Sequence, residues 1–80
     1  MGKNTVTVKV YNETYALKTE AAPENVVKIA GMVDQKMHRL ADLKAVQTSE
    51  KIAVWAALDF AAELYELQQK YNSLLEEIRR

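Results

Sequence analysis

A small α+β fold follows from three features of the chain: a stretch near the N-terminus that alternates in steps of two, a middle stretch that recurs in steps of three and four, and a final third with neither Gly nor Pro that carries a continuous apolar seam. The expected architecture is an N-terminal two-stranded β-hairpin and an amphipathic helix forming a small head, followed by a long C-terminal coiled-coil helix. Residues 1–65 are assigned to the head (hairpin 5–19, helix 23–43, start of the long helix 48–65), and residues 66–80 to its protruding end.

In TVTVKVY, residues 5–11, Val6, Val8 and Val10 alternate with Thr5, Thr7, Lys9 and Tyr11, a period of two in mostly β-branched residues. TYALKT, residues 14–19, alternates again, with Tyr15 and Leu17 on one side. With Asn12-Glu13 as the loop, Tyr11 faces Thr14, Val10 faces Tyr15, Val8 faces Leu17 and Val6 faces Thr19. The large apolar side chains then share one face, and a slip of one residue would scatter them. Asn tolerates the left-handed φ of a primed two-residue turn and Glu does so poorly, so the turn type stays open. A lone hairpin is marginal in water. Its apolar face needs a helix, or its edge a second chain.

Pro23 suits a first helical turn, and Glu24 sits well beside the positive helix end. From there Val26, Ile29, Ala30, Val33, Met37, Leu40 and Ala41 recur at helical spacing, with Lys28, Asp34, Gln35, His38, Arg39 and Asp42 largely opposite. Gly31, which costs about 1 kcal/mol relative to Ala inside a helix, is expected to mark close approach of the hairpin or another helix. Leu43 to Gln47 is a short joint that suits two helices folding back on each other.

Thr48 or Ser49 can cap the last helix, with Glu50 in its first turn. Its seam runs Ala53, Ala57, Phe60, Leu64, Leu67, Tyr71, Leu74, Ile78, and after the first step the spacing alternates three and four, the a/d pattern of a coiled coil. One continuous helix here is roughly 50 Å long, more than a compact 80-residue body can cover. Up to Tyr65 a second stripe runs through Val54, Leu58, Ala61 and Tyr65, widened by Ile52 and Trp55. That half is expected to be buried in the head or in a head-to-head interface, with Trp55 packed in the core. Beyond Tyr65 the second stripe turns polar at Gln68 and Asn72, and Glu66 and Lys70 form an i,i+4 pair in the favoured order.

A domain of this size has a thin stability margin and usually adds disulfides, a metal or oligomerisation. There is no Cys and a single His, which leaves oligomerisation, and the seam supplies it. Eleven basic residues balance eleven acidic ones, and the sequence pI is near 6.6. That weakens a phosphate-gripping, nucleic-acid role. The N-terminus lacks the design of a signal peptide, and no stretch approaches a membrane span.

Chemistry is poorly represented. His38 is expected to be a solvated helix residue near Asp34. There is no Cys nucleophile, no Gly-rich phosphate loop and no metal-ligand spacing. Glu63, Glu66, Glu76 and Glu77 read as a solvated coil surface. No enzyme activity, cofactor or metal is expected.

In this order of elements the chain resembles the ZapA family of bacterial cell-division proteins associated with FtsZ. The resemblance covers nearly the whole chain. It is most specific in TSEKIAVWAAL, residues 48–58, which is similar to the family's Thr-x-Glu-x-apolar, Ala-Ala-Leu helix start. VDQKM, residues 33–37, with Leu40 and the N-terminal strand–turn–strand support it. It implies a non-enzymatic, cytoplasmic protein at the mid-cell division site that dimerises through its heads. Dimers would pair antiparallel through their long helices into a dumbbell-shaped tetramer that aligns and bundles FtsZ filaments. It also implies that the FtsZ-facing surface includes Glu50, with Lys51 beside it, and that the seam from Ala57 to Ile78 serves self-association. Two positions depart from the pattern. Glu13 stands in the hairpin turn where some members carry a basic residue, and Ala45 follows Lys44 where some carry another.

Two other readings compete. A dimeric ribbon–helix–helix DNA-binding regulator would use the outward Thr5, Thr7 and Lys9, but the second strand, the neutral charge and the length of the last helix oppose it. A generic coiled-coil adaptor is supported equally by the seam alone.

Overall fold

The computed structural model describes residues 3–43 and 48–79. Alternation drives the first two elements. β1 (Asn4–Val10) pairs antiparallel with β2 (Glu13–Thr19), and Val6, Val8 and Val10 share a face with Tyr15 and Leu17. The register lies two residues from the expected one: Val8 is opposite Tyr15, Val6 opposite Leu17, and Val10 opposite Glu13. An even shift preserves the period-two parity, so the apolar face survives it. The loop is Tyr11-Asn12, with φ of 50° and 69°, the double positive φ of a primed turn. Asn12 suits that region, and Glu13 is released into β2. Tyr11, bulky and left-handed, is held from outside the hairpin: its N–H donates to Asp34 Oδ1 at 2.7 Å, and its ring lies 5.0 Å from that of His38. That contact decides the turn.

The connector closes with the Ala21 N–H donating to the Thr19 hydroxyl at 3.0 Å. α1 (Pro23–Leu43) begins where Asn25 and Val26 donate to the Ala22 carbonyl at 3.0 and 3.1 Å, with Pro23 in the turn where no N–H is needed. Val26 and Ala30 pack on Val6 and Val8, with Val10 beside them. Gly31 corrects an expectation. A Cβ built there meets nothing within 4 Å, so neither the hairpin nor another helix of the chain approaches it. Following Ala30 by one position, it is turned about 100° away from the stripe that packs on β1.

α2 (Ser49–Arg79) is capped by Thr48, whose hydroxyl accepts from the Lys51 N–H at 3.2 Å and whose carbonyl accepts from Ile52 at 3.0 Å. Ile52 and Ala56 are buried against Met37, flanked by Val33, Leu40 and Ala41, with Val10 and Tyr11 reaching in from the hairpin. The rest of the second stripe differs from expectation. Val54, Leu58 and Tyr65 are exposed, and Trp55 is 44% exposed rather than packed in the protomer's core. α1 lies along one side of α2 and the hairpin touches its start alone, so no element of the protomer covers the other sides. The protomer extends 49 × 42 × 14 Å. The thin dimension is little more than one helix with its side chains. It is a single layer with a bare face on each element.

Candidate functional site

The first bare surface is a groove. Tyr15 and Leu17 stand on the hairpin's apolar face, yet α1 packs over β1 and leaves them 47% and 41% exposed. Between them and α1 runs an apolar hollow of about 710 Å³ floored by Val8 and Val10, walled by Ile29 and Val33, and closed by Glu50 and Ala53 at the start of α2. The hollow is open, and most of the side chains that line it are apolar.

Glu50 and Lys51 occupy the first turn of α2, both exposed. The Thr48 cap ties down Lys51's backbone and leaves both side chains at the surface. Glu50 borders the groove on one side. On the other it joins Lys51, Val54 and Trp55 around a shallower hollow of about 230 Å³. Glu50 therefore stands at the junction of both hollows and Lys51 on the shallower one, an arrangement their spacing alone could not reveal. Ala45 and Lys44, at the second departure from the family pattern, lie outside the described residues. Glu13 pairs with Val10 as the first residue of β2 and borders the groove.

The seam is the second bare surface. Leu64, Leu67, Tyr71, Leu74 and Ile78 are 55–71% exposed, a row along the free part of α2. Ala57 is exposed as well. Phe60 is half-buried because Lys36 of α1 lies over its ring, with Nζ 4.7 Å from the centroid. Lys36 is a residue that sequence reasoning missed. Its ammonium is 2.9 Å from Asp59 Oδ2 and also pairs with Glu63, although the residue as a whole is 7% exposed. Its stem is buried, and the carboxylates it meets stay about half exposed. The hydrogen bonds it donates to Glu63 and then Asp59 raise its pKa above the ordinary lysine value, against a smaller opposing effect of burial. A signal was present: Lys36 sits three residues after Val33 and four before Leu40, inside the apolar stripe.

At the hairpin tip, Asp34 Oδ1 lies 3.4 Å from His38 Nε2, and the same oxygen accepts from Tyr11. His38 is about half exposed, as expected of a solvated helix residue. Among the described residues no group of His, Asp and Glu is placed to hold a metal ion, and no helix is long and apolar enough to cross a membrane. What the arrangement offers is surface for binding.

Comparison with known proteins gives a consistent picture. A sequence model of the family described as "Cell division protein ZapA" matches residues 6–80. The cell division protein ZapA of Geobacillus kaustophilus is 30% identical over 78 residues, covering 98% of this chain and 86% of its own length. That of Geobacillus thermodenitrificans is 31% identical over the same shares. Among solved structures, a ZapA mutant dimer from Geobacillus stearothermophilus superposes with a TM-score of 0.80 at 28% identity, covering all of this chain and 93% of that one.

Proposed function

The chain belongs to the ZapA family of non-enzymatic cell division proteins, and from that premise we propose that it self-associates, binds FtsZ and cross-links or aligns FtsZ filaments to promote Z-ring assembly. The observation that carries this reading is the amount of surface left bare. The protomer exposes 6742 Å², where a compact monomer of 9.1 kDa exposes about 4,900 Å², an excess of roughly 1,800 Å². A standard interface takes about 800 Å² from each partner. The excess is enough for more than one contact.

The two surfaces divide the work. The apolar floor of the groove, with Tyr15 and Leu17 beside it, supports head-to-head pairing. The seam supports pairing of long helices, with residues 1–65 as head and 66–80 as protruding coil. Five seam side chains from Leu64 to Ile78 span about 21 Å, about two heptads. So short a coil is best held alongside paired heads. A dimer built on the heads, doubled into a tetramer by the coils, carries heads at two ends and can hold two filaments. Glu50, with Lys51, is assigned to the FtsZ contact because the family resemblance points to it and both side chains are exposed at the start of α2. The site of action is the cytoplasmic face of the division site at mid-cell.

Co-pelleting with GTP-assembled FtsZ, run beside sedimentation of the protein alone, tests the reading. The wild type is expected in the pellet as an oligomer, and Glu50→Lys in the supernatant with its oligomer intact. Wild type left in the supernatant sinks the FtsZ reading, and a folded monomer at micromolar concentration sinks self-association. The DNA-binding reading is set aside by the family match and by β1, which pairs with β2 of its own chain.

A further inference from the structure

α1 and α2 meet through two kinds of contact. Near the cap, Met37 with Leu40 and Ala41 meets Ile52 and Ala56. In the next turns of α2, Lys36 engages Asp59, Phe60 and Glu63, which share one face. An apolar contact over two small patches acts as a pivot, since smooth hydrocarbon surfaces slide with little change in buried area. A second contact displaced along the helix removes that freedom. The ammonium also relieves the repulsion between Asp59 and Glu63, two like charges at i,i+4.

Replacing a buried ion pair with apolar side chains of similar volume is often neutral or stabilising. Stability is therefore a weak reason for a lysine in the middle of this apolar stripe. Geometry is a stronger one, because an ammonium held by two carboxylates and a ring face accepts one arrangement, whereas an alkyl chain accepts many.

We infer that Lys36 is a positioning residue that fixes the angle between α1 and α2, and so sets how the head stands on the coil. The leverage is large: from Phe60 to Arg79 the helix runs about 29 Å, so each 10° of change moves its end by about 5 Å. The consequence for filament spacing rests on the proposed FtsZ cross-linking. The angle itself does not.

The chain has no cysteine, so Lys28→Cys on α1 and Gln68→Cys on α2, both exposed positions, accept spin labels cleanly. Labelled protein is diluted into excess unlabelled protein so that pulsed dipolar spectroscopy reads distances within one protomer. The wild type is expected to give one narrow distance. Lys36→Met is expected to broaden or displace it while helix content and sedimentation stay unchanged. Asp59→Asn/Glu63→Gln, which alters the exposed partners alone, is expected to do the same, and it decides the matter if Lys36→Met loses helix. A distribution in the double variant that superimposes on the wild type overturns the inference. In electron micrographs of FtsZ bundles, the double variant should pellet normally but space filaments irregularly. Regular spacing overturns the functional half and leaves the angle to the label measurement, whereas wild type that fails to pellet sinks the FtsZ reading instead.

Discussion

The backbone N–H of Tyr11, in the hairpin turn, donates to the carboxylate of Asp34, in the middle of α1, at 2.7 Å and across 23 residues of sequence. This bond ties the turn, where Tyr11 and Asn12 both have positive φ, to the head helix. Asp34→Ala leaves a partly buried N–H without its acceptor, which costs about 1–3 kcal/mol. The urea midpoint should fall by that amount at fixed protein concentration. A change below a few tenths of a kcal/mol would show that water replaces the carboxylate freely.

The turn supplies a second test. Asn12 has φ of 69°, a conformation that costs an ordinary L-residue roughly 1–2 kcal/mol. Asn12→Val should destabilise by at least that much, because branching at Cβ worsens the clash, while Asn12→Gly should be neutral or better. Equal midpoints for the Val and Gly variants would contradict the left-handed turn.

Lys36 makes the α1–α2 contact depend on pH in one direction. Its pKa in the folded protein is raised above the ordinary 10.5 by Glu63 and Asp59. A group whose folded pKa is raised contributes its full stabilisation below the unfolded value and loses it as pH climbs through the folded value. The difference in urea midpoint between wild type and Lys36→Met should therefore be flat through neutral pH and change only in alkaline solution. A difference that changes between pH 5 and 8 would assign the effect to another group.

Buried and bare apolar residues of α2 should behave differently on truncation. Ile52 is fully buried, and Ile52→Ala should lower stability by about 2–5 kcal/mol. Leu67→Ala/Leu74→Ala removes side chains that are exposed in the protomer, so the expected loss is in oligomer mass by sedimentation, with the hairpin and α1 intact by circular dichroism. Unchanged mass for the double variant would exclude the seam from self-association.

The elements themselves were legible because each rests on local periodicity. Strands, the helix of residues 23–43 and the long helix all fall where alternation or the three–four repeat places them. What local pattern left open was decided by contacts distant in sequence. Parity admits either hairpin register, and Asp34 selects between them through Tyr11. Trp55, Leu58 and Gly31 read as buried or closely approached because apolar and small residues usually are, but Trp55 and Leu58 are 44% and 57% exposed in the protomer and a Cβ built at Gly31 meets nothing within 4 Å. Lys36 was passed over among the charges, though its place in the apolar stripe was visible. Of the candidate contact residues, Glu50 and Lys51 were indicated by family resemblance. The position of Glu50 between two hollows, with Lys51 on the shallower one, emerges only when the hairpin, α1 and α2 are assembled.

A body one element thick has a further consequence for the cell. A solitary protomer keeps Tyr15, Leu17 and the seam from Leu64 to Ile78 open to chaperones and proteases, which capture exposed apolar segments. Under the proposed self-association, partnered copies would hide those segments, so each protomer's exposure to clearance would fall as its concentration rises.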